Sequence, residues 1–371
     1  MDLSYWEYKT WFSNIDFTVV GSGIVGLSCA LTLRKKYPKA RILILEKGIL
    51  PQGASTKNAG FACFGSISEV LEDMKHHTEQ EVLQLVQKRW DGIELLRKTL
   101  GDKTMDYQRH GGGYELFFEQ DQLLFEACHE RLKEVNELLQ PVFGAAAFYA
   151  HPNEFGFKKI QDRYITNVYE AQINTGRMME ALLKKVQASG ITILNGMTVE
   201  AFSEDAAGVN VKTPVVEFQT RALLLATNGF ATKWLQEEVN PARAQVLVTK
   251  PIKGLKIKGT FHLDKGYYYF RNVEDRILFG GARNLDFNTE ETTSFGLTEV
   301  IQNRLDQVLR ETILPNIPYE VERRWSGIMG VGTQKKPIVR QVSEHVAFGV
   351  RLGGMGIAIG SHVGKELAEL F

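Results

Sequence analysis

Three glycines at a fixed spacing, Gly21, Gly23 and Gly26, constrain how the N-terminal part of the chain can fold. They directly follow Ile15–Val20, a short apolar segment typical of a buried strand, and residues 24–36 then show the apolar spacing expected of a helix. In this order the first glycine permits a tight turn, the second lets the backbone approach a phosphate, and the third allows close packing of the helix. The segment is therefore predicted to bind a dinucleotide at the start of that helix.

A second strand and an acidic residue complete the pattern. Pro38 ends the helix, residues 41–45 are predicted to be a strand, and Glu46 follows it, 20 residues after Gly26. A carboxylate at this position accepts hydrogen bonds from the ribose hydroxyls of a bound nucleotide. This order of a strand, a glycine turn, a helix, a second strand and an acidic residue predicts a β-α-β unit. It does not separate FAD from NAD, because both cofactors contain the same adenosine diphosphate half.

Composition and charge exclude several classes of function. Hydrophobic residues make up 44% and charged residues 24% of the 371 residues, which argues against a disordered chain or a coiled coil. Lys+Arg and Asp+Glu both number 44, so the net charge gives no attraction to nucleic acid or to an anionic membrane. The length favours two domains, and we expect small-molecule partners, without nucleic acid or membrane.

The cysteines Cys29, Cys63 and Cys128 fit no metal-binding or disulfide spacing, so no metal site is predicted. This usage suits a reducing compartment. Residues 1–14 contain acidic and aromatic residues but no apolar run, and no later segment holds 18 uncharged apolar residues. We therefore expect a cytoplasmic protein.

The apolar spacing also predicts the later elements. Helices are expected over residues 67–75, 79–100, 123–139, 176–189 and 298–312 and near the C-terminus. Residues 141–157 are expected to be an irregular loop near a pocket. Strands are predicted over residues 114–118, 191–194, 199–202, 209–213, 222–226 and 345–350, and a mostly antiparallel sheet over residues 244–282.

Four further segments have characteristic sequences. They are residues 53–61 (GASTKNAGF), residues 226–229 (ATNG) with Trp234, residues 325–327 (WSG) and residues 353–357 (GGMGI). In their sequence and order they resemble the D-amino-acid oxidase, glycine oxidase and sarcosine oxidase (DAO) family. There these segments are the second phosphate and flavin loop, a turn near the adenosine, a motif before the active site and the turn over the flavin pyrimidine. The matches extend from Phe17 to Leu367.

This resemblance implies an α/β fold. A Rossmann-type, glutathione-reductase-like FAD-binding domain is interleaved with an α+β substrate domain that has a mostly antiparallel sheet. The FAD-binding domain is predicted to comprise residues 1–106, 167–240 and 325–371, and the substrate domain residues 107–166 and 241–324.

The same resemblance implies the cofactor and its binding residues. FAD is expected to be non-covalent, because family members that tether it use a cysteine in the C-terminal third or a histidine in the flavin loop, and this chain has neither. The expected FAD-binding residues are Gly21, Gly23, Ile24, Val25, Gly26, Glu46, Lys47, Ser55, Thr56, Asn58, Ala59, Gly60, Phe61, Val199, Ala226, Thr227, Gly229, Trp234, Gly327, Leu352, Gly353, Gly354, Met355, Gly356, Ile357 and Ala358.

The implied activity is oxidation of the C–N bond of an amine or amino acid. In the family, hydride passes from the substrate's alpha carbon to flavin N5, and water hydrolyses the resulting imine, so the protein mainly orients the substrate. The family anchors its substrate with a tyrosine and an arginine. Tyr268 falls at the tyrosine position, but Met329 stands where the arginine would be. Arg283 and Arg351 are candidates for a displaced anchor.

Three alternatives remain open at this point. The first is oxidation of a 2-hydroxy acid, which relatives of this fold perform. The second is a tRNA-modifying flavin oxidase, which the zero net charge and the lack of a fused domain disfavour. The third is a flavin-binding protein without turnover, which Met329 suggests. His110 and His262 have no charge partner identifiable in the sequence and are interpreted as structural, and Cys63 as a packed residue of the flavin loop.

Overall fold

A computed structural model describes residues 2–236 and 238–371. Within them, the strands form two eight-stranded sheets and one two-stranded sheet. The strands are β1 Ile15–Val20, β2 Ile42–Glu46, β3 Phe61–Ala62, β4 Gly113–Glu115, β5 Phe148–Pro152, β6 Arg163–Asn167, β7 Ala171–Gln172, β8 Thr192–Asn195, β9 Ala201–Asp205, β10 Gly208–Lys212, β11 Glu217–Leu225, β12 Asn240–Thr249, β13 Thr260–Leu263, β14 Tyr268–Val273, β15 Arg276–Gly281, β16 Val321–Val331, β17 Ile338–Gln341 and β18 Val346–Val350. The helices are α1 Tyr5–Glu7, α2 Ile24–Lys36, α3 Ile67–His76, α4 Glu79–Leu100, α5 Asp102–Met105, α6 Gln122–Glu130, α7 Leu132–Phe143, α8 Thr175–Ala188, α9 Glu299–Val308 and α10 Gly356–Glu369.

The first sheet is built around parallel strands. Its order is β17-β18-β11-β1-β2-β8, and the β9–β10 hairpin joins it beside β11. Strands β18, β11, β1, β2 and β8 are parallel, so their carboxyl ends meet at one edge. Alternate residues of β2 enter different hydrophobic clusters: Ile42 and Ile44 pack with the helices, and Leu43 and Leu45 pack on the other face. Burial on both faces explains why β2 and β18 are almost continuously apolar.

Helices α2, α4 and α10 pack closely against one another. Gly92 of α4 lies against the backbone of Ala358 in α10, and Gly364 of α10 lies against the carbonyl of Val25 in α2. A Cβ atom at either glycine would overlap these neighbours. The close approach therefore requires glycine, and it fixes α10 beside the glycine-rich turn that opens α2.

The second sheet has the order β16-β12-β15-β14-β13-β4-β6-β5 and is antiparallel except between β4 and β13. Its strands alternate between two environments, as the pleat requires. Phe261, Tyr268, Phe270 and Phe279 enter the cluster that packs with α9. Their neighbours along the strands face the first sheet. The predicted α/β fold with a mostly antiparallel second sheet is confirmed.

Two details differ from the sequence-based predictions. The helix expected over residues 123–139 is two helices, and the second continues through Pro141 to Phe143 because its buried face packs on Phe64 and Trp90. Residues 141–157, expected to be a loop near a pocket, contain β5, the outer strand of the second sheet.

The division into domains stays a prediction, and its boundary at residue 325 falls within β16 of the second sheet. Among the described residues, no helix is long and apolar enough to cross a membrane.

Candidate active site

A cavity of about 1070 Å3 lies between the two large sheets. Its wall includes the residues that follow β1, β2, β8, β11 and β18, at the shared carboxyl edge of the first sheet. The opposite wall comes from β12 to β15 and β16 of the second sheet. Ligands of open α/β sheets bind at this edge, and the volume is at the upper end of the usual range for small-molecule sites.

The glycine turn after β1 has the geometry that the sequence predicts. Gly21 has a φ of 102°, which an L side chain rarely adopts. A Cβ atom at Gly26 would overlap the carbonyl oxygen of Gly21, and one at Gly23 would lie 2.8 Å from the Ser55 hydroxyl. The Ile24 N–H at the start of α2 donates to that hydroxyl at 3.0 Å. The turn and the flavin loop are thereby joined at the helix N-terminus.

Glu46 holds the turn from the end of β2. Its Oε2 accepts hydrogen bonds from the Ser22 N–H at 3.0 Å and from the Ser22 hydroxyl at 2.8 Å. Its Oε1 accepts from the Gly48 N–H at 3.0 Å. The carboxylate is buried and lines the cavity, so it also presents oxygen lone pairs where a ribose would bind.

Asn58 organises the flavin loop over residues 53–61. Its side-chain amide donates to the carbonyl of Ser55 at 2.8 Å and accepts from the Gly60 N–H at 2.9 Å. The Trp325 indole N–H donates to the carbonyl of Lys57 at 3.0 Å. Trp325 of the WSG segment therefore holds this loop against the second sheet.

Arg271 also fixes the flavin loop, although the motifs do not identify it. Its guanidinium donates to the carbonyl oxygens of Ala59 and Ile173 and lies directly over Gly60. Burial lowers the pKa of Arg271 to about 10, against the opposing influence of Asp106. The alternation of β14 places Arg271 on the same face as Tyr269, and this periodicity is the signal that could have found it.

The turn before α10 leaves backbone groups open to the cavity. The Leu352 N–H donates to the Asn228 side chain at 3.1 Å, and the Gly353 N–H donates to the carbonyl of Gly330 at 2.9 Å. A Cβ atom at Gly353, Gly354 or Gly356 would meet nothing within 4 Å. No side chain of residues 2–236 or 238–371 caps the N-terminus of α10. Its free N–H groups and positive dipole end therefore favour an anionic or carbonyl-bearing ligand here.

The turn after β11 contains an unsatisfied hydroxyl. Thr227 Oγ1 is buried without a hydrogen-bond partner among the described residues, and Thr227 lines the cavity. A buried hydroxyl without a partner is costly, so a ligand atom is expected to complete its bonding.

Most predicted cofactor residues line this one cavity. They are Gly21, Gly23, Ile24, Val25, Glu46, Lys47, Ser55, Asn58, Ala59, Gly60, Phe61, Val199, Ala226, Thr227, Trp234, Gly327, Leu352, Gly353, Gly354, Met355, Gly356 and Ile357.

Four predicted cofactor residues do not line the cavity and support it instead. Gly26 packs beneath the first turn, and the Thr56 hydroxyl donates to the carbonyl of Pro51 at 2.7 Å. Gly229 packs against the backbone of Met329. Ala358 belongs to the contact between α10 and α4.

Tyr268 does not reach the cavity, which corrects its predicted role as an anchor. Its side chain is only 2% exposed and packs in the core beside Phe118 and Phe279. Tyr267 and Tyr269 line the cavity instead. The reason is the pleat of β14: residues on either side of Tyr268 point to the opposite face.

Arg351 is likewise turned away from the cavity, which corrects its candidacy as an anchor. It has a φ of 63°, and its guanidinium donates to the carbonyl oxygens of Lys336 at 2.9 Å and Glu238 at 3.0 Å. It therefore fixes the loop after β16 to the turn before α10.

Arg283 and Met329 do line the cavity. The Arg283 guanidinium stacks 4.6 Å from the Phe287 ring centroid, and no carboxylate among the described residues pairs with it. Burial lowers the pKa of Arg283, although the group remains a cation at neutral pH. A half-buried arginine with no carboxylate partner among the described residues can bind an anion.

His262 has a charge partner that the sequence could not reveal. Its Nε2 lies 2.6 Å from Oε1 of Glu170, and both side chains are buried. Burial alone would lower the pKa of His262, but the Glu170 carboxylate outweighs it and raises that pKa to about 9. The two residues are 92 positions apart, so only the pairing of distant strands brings them together.

Cys63 lies beside this pair. One ligand atom from each of Cys63, Glu170 and His262 lies within 4.8 Å of the others. This is a donor set that can hold a metal ion, so the expectation of no metal stays a prediction. Burial raises the pKa of Cys63 well above its usual value, which keeps the group a neutral thiol.

A family model described as DAO, FAD dependent oxidoreductase, matches residues 16–370. The chain belongs to this family. It is 21% identical over 388 residues to Probable oxidoreductase OrdL of Haemophilus influenzae, covering 97% of this chain and 83% of that one. Its fold is similar to that of L-proline dehydrogenase from P. horikoshii, with a TM-score of 0.75 and 17% identity over 96% of this chain and 93% of the other. It is also similar to glycine oxidase from Geobacillus kaustophilus, with a TM-score of 0.74 and 18% identity over 96% and 94%.

This DAO-family protein is therefore an FAD-dependent oxidoreductase, and its cavity fits that cofactor. Three features of the wall can bind polar ligand atoms. They are the Thr227 hydroxyl without a partner among the described residues, the glycines of the turn before α10, which have free space beside them, and the N-terminus of α10. In this arrangement Glu46 would bind the ribose and the Gly21 turn would bind the pyrophosphate. The residues present thus match the parts of FAD that each must bind.

Proposed function

We propose that this protein oxidises the C–N bond of an amine that carries a carboxylate group, and that Arg283 binds the carboxylate. The observation that carries the proposal is the position of Arg283, a half-buried cation in the cavity wall without a carboxylate partner among the described residues. Two of the proteins similar in fold have names that specify amino acids, proline and glycine.

The residues of the second sheet supply orientation. Tyr267 and Tyr269 provide an aromatic wall beside Arg283, and Met329 fills the place of the family's arginine with an apolar side chain. When bound, FAD accepts the hydride that leaves the substrate carbon. Arg283 fixes the substrate's carboxylate by charge-assisted hydrogen bonds, and the tyrosine rings exclude water from the reacting carbon.

The charge of the cavity supports anionic ligands. Its acidic side chains are Glu46, Glu69 and Glu72. Its lysine and arginine side chains are more numerous: Lys47, Lys57, Lys233, Lys265, Lys335 and Arg283. This excess of positive charge suits a cofactor pyrophosphate together with a substrate carboxylate.

Anaerobic mixing of the FAD-loaded protein with a substrate panel tests the proposal. Glycine, sarcosine, proline and D-amino acids are compared with matched amines that lack a carboxylate and with 2-hydroxy acids. We expect bleaching of the flavin absorbance by at least one amino acid and slower bleaching by its decarboxylated amine. The proposal is overturned if dithionite reduces the flavin but no amine does, and bleaching by a hydroxy acid alone would assign C–O oxidation instead.

A further inference from the structure

Three side chains that can bind a metal ion, Cys63, Glu170 and His262, meet where the flavin loop reaches the second sheet. One ligand atom of each lies within 4.8 Å of the other two, and all three residues are buried. Cys63 and His262 also line the cavity. Sulfur, nitrogen and oxygen donors gathered in this way are typical of a transition-metal site, whereas Mg²⁺ and Ca²⁺ prefer oxygen ligands alone.

The pairing of two short strands explains why Cys63 and Glu170 are neighbours. In the antiparallel pair of β3 and β7, Ala62 lies opposite Ala171. The next step of this register puts Cys63 opposite Glu170. Residues that lie opposite each other in an antiparallel pair have their side chains on the same face. The backbone therefore brings a thiol and a carboxylate side by side.

His262 reaches the same place from β13 of the second sheet. Its Nε2 lies 2.6 Å from Oε1 of Glu170. Its ring also lies against the ring of Phe61, two residues before Cys63, with ring centroids 5.1 Å apart. The imidazole is therefore held beside both the carboxylate and the segment that carries the thiol.

The carboxylate of Glu170 has an oxygen that no described protein group satisfies. Oε2 is buried without a hydrogen-bond partner among the described residues, and Glu170 is only 1% exposed. The carboxylate fills the space above Gly113, where an added Cβ would lie 2.5 Å from this oxygen. A buried carboxylate oxygen without a partner is costly, and a cation bound beside it would remove that cost.

The sulfur of Cys63 is also available to a metal ion. It lies 3.8 Å from Sδ of Met355 in the turn before α10, and a thioether is only a weak acceptor for a thiol. Burial raises the pKa of Cys63 well above its usual value, so the metal-free protein holds a neutral thiol. A bound metal ion deprotonates a coordinating thiol outright, so burial does not prevent binding.

We propose that Cys63, Glu170 and His262 together bind one zinc ion. Zinc binds sulfur at about 2.3 Å and nitrogen or oxygen at about 2.0–2.2 Å, which places tetrahedral ligand atoms about 3.3–3.8 Å apart. Small rotations of the three side chains give these separations, since their ligand atoms are already within 4.8 Å of one another. The thiolate and the carboxylate balance the two charges of the ion, which replaces the thiol proton and any proton that His262 shares with Glu170.

This zinc site is independent of the amine substrate, and the sequence predicted no metal. The three ligands lie 92 or more positions apart in the chain, so no spacing rule identifies them. A bound ion would connect the segment after the flavin loop to β13 of the second sheet. Because only the folded chain brings the ligands together, zinc should stabilise the folded protein.

Titration of the FAD-loaded protein with zinc tests the proposal. Metal is first removed with a chelator, and zinc is then added in competition with a fluorescent zinc indicator. We expect one zinc ion per chain with a dissociation constant below about 1 µM, since structural sites with four protein ligands bind zinc more tightly still. A large excess of Mg²⁺ should not compete, because Mg²⁺ prefers oxygen ligands.

Anomalous scattering at the zinc absorption edge locates the ion in a crystal of the wild-type protein. We expect the strongest peak at about 2.0–2.3 Å from Sγ of Cys63, an imidazole nitrogen of His262 and a carboxylate oxygen of Glu170. This measurement needs no variant, so it decides the proposal even if a substitution of a buried residue prevents folding.

Variants assign the zinc affinity to these ligands. Cys63→Ala and His262→Gln should each bind zinc at least about a hundredfold more weakly, because loss of a residue that only supports a ligand already costs about 10–100-fold. Cys128→Ala and His151→Gln are the matched controls and should bind zinc like the wild type. Cys128 is buried and His151 is exposed, and both lie outside the cavity wall. Zinc should raise the unfolding temperature of the wild type and the controls, but not that of the two ligand variants.

The proposal is overturned if Cys63→Ala and His262→Gln bind zinc as tightly as the wild type, or if the anomalous peak lies away from these side chains. Effective competition by Mg²⁺ also overturns it, because such a site would consist of oxygen ligands. Amine oxidation is tested separately by bleaching of the flavin, so neither result depends on the other.

Discussion

Replacing Arg283 with methionine tests the substrate anchor. The side chain lines the cavity and has no carboxylate partner among the described residues, so its loss should leave the fold and the flavin content unchanged. A charge-assisted hydrogen bond contributes about 1.5–3 kcal/mol, so we expect the affinity for an amino-acid substrate to fall about tenfold to a hundredfold. The measurement is the substrate concentration that gives half-maximal rate of anaerobic flavin reduction.

Arg351→Met is the control for that substitution. Among the residues that the structure describes, Arg351 donates only to the carbonyl oxygens of Lys336 and Glu238, outside the cavity. Its variant should bind substrate within about twofold of wild type, because no ligand-binding charge is removed. If the Arg351 variant lost more affinity for the substrate than the Arg283 variant, Arg351 would be identified as the residue that binds the carboxylate.

Glu115 should make the stability of the protein depend on pH. Burial raises the pKa of this carboxyl from 4.5 to about 7 in the folded state, although the Ser68 N–H and hydroxyl donate to it. Between these two values the folded state holds the proton more tightly than the unfolded state, so the free energy of unfolding falls as the pH rises from about 5 to 8.

Glu115→Gln keeps the shape and removes this titration. We expect the variant to be more stable than wild type by roughly 3 kcal/mol at pH 8 and by less than about 1 kcal/mol at pH 5. Urea denaturation at the two pH values gives the comparison. An equal difference at both values would mean that the folded carboxyl titrates normally.

At the scale of single residues, the periodicity of a strand indicates which side chains share a face, but the sequence does not reveal contacts between residues distant in the chain. Residues 267–270 alternate between the two faces of the sheet, so only Tyr267 and Tyr269 of these four aromatics line the cavity. The choice of Tyr268 was wrong because it came from a family position, whereas the pleat decides which side chains face the cavity. The pair of His262 and Glu170 exists only through tertiary structure, so no spacing rule could identify it.

At the scale of elements, the packing of the glycine turn predicts that Gly26→Ala weakens FAD binding. Its new Cβ would overlap the carbonyl oxygen of Gly21 and force the turn away from α2. The helix N-terminus would then no longer align with the phosphate site. We expect a protein that purifies with little flavin and takes up added FAD at least about tenfold more weakly, measured by quenching of FAD fluorescence.

Gly176→Ala is the control for the Gly26 substitution. Gly176 lies in the first turn of α8, and an added Cβ there would make an ordinary contact 3.4 Å from Asn174 Oδ1. Alanine favours a helix by up to about 1 kcal/mol over glycine, so this variant should be at least as stable as wild type and keep its FAD. Equal flavin loss in the two variants would contradict the steric explanation.

Elements with strong periodicity were predicted almost to the residue, whereas elements that depend on packing were not. Residues 79–100 form a helix as predicted, because both its apolar stripe and its Thr78 capping box are local signals. Residues 141–157 were expected to be an irregular loop after a helix over residues 123–139, yet α7 continues through Pro141 to Phe143. Aromatic contacts of Phe143 with Phe64 and Tyr169 outweigh the local cost of proline.

At the scale of the whole molecule, one cavity unites turns from residues 20 to 357. The sequence predicted this convergence because each turn ends a strand, and the carboxyl ends of parallel strands meet at one edge. It did not predict which cations would be free of carboxylates. That depends on ion pairs such as those of Lys265 and Lys335, which form between segments distant in the chain.

In the part of the cavity wall that the structure describes, the cysteine and the histidine are poorly suited to attack the flavin, so we expect FAD to be released when the protein unfolds. Cys63 is the cysteine that lines the cavity, and burial keeps it a neutral thiol, which is a poor nucleophile. Cys29 and Cys128 are buried in hydrophobic clusters away from the cavity wall. His262 is held as an imidazolium by Glu170, so its ring has no free electron pair for attack.

Acid precipitation checks this prediction directly. We expect a yellow supernatant whose fluorescence is that of free FAD, a colourless pellet, and a denatured chain with the mass of the unmodified polypeptide. Added FAD should raise the unfolding temperature of the flavin-free protein in proportion to the logarithm of its concentration, because only the folded state binds it. A yellow pellet together with a flavin-bearing peptide would identify a covalent bond, and a flavin mass on the peptide containing Cys63 would show that its thiol is reactive in spite of its burial.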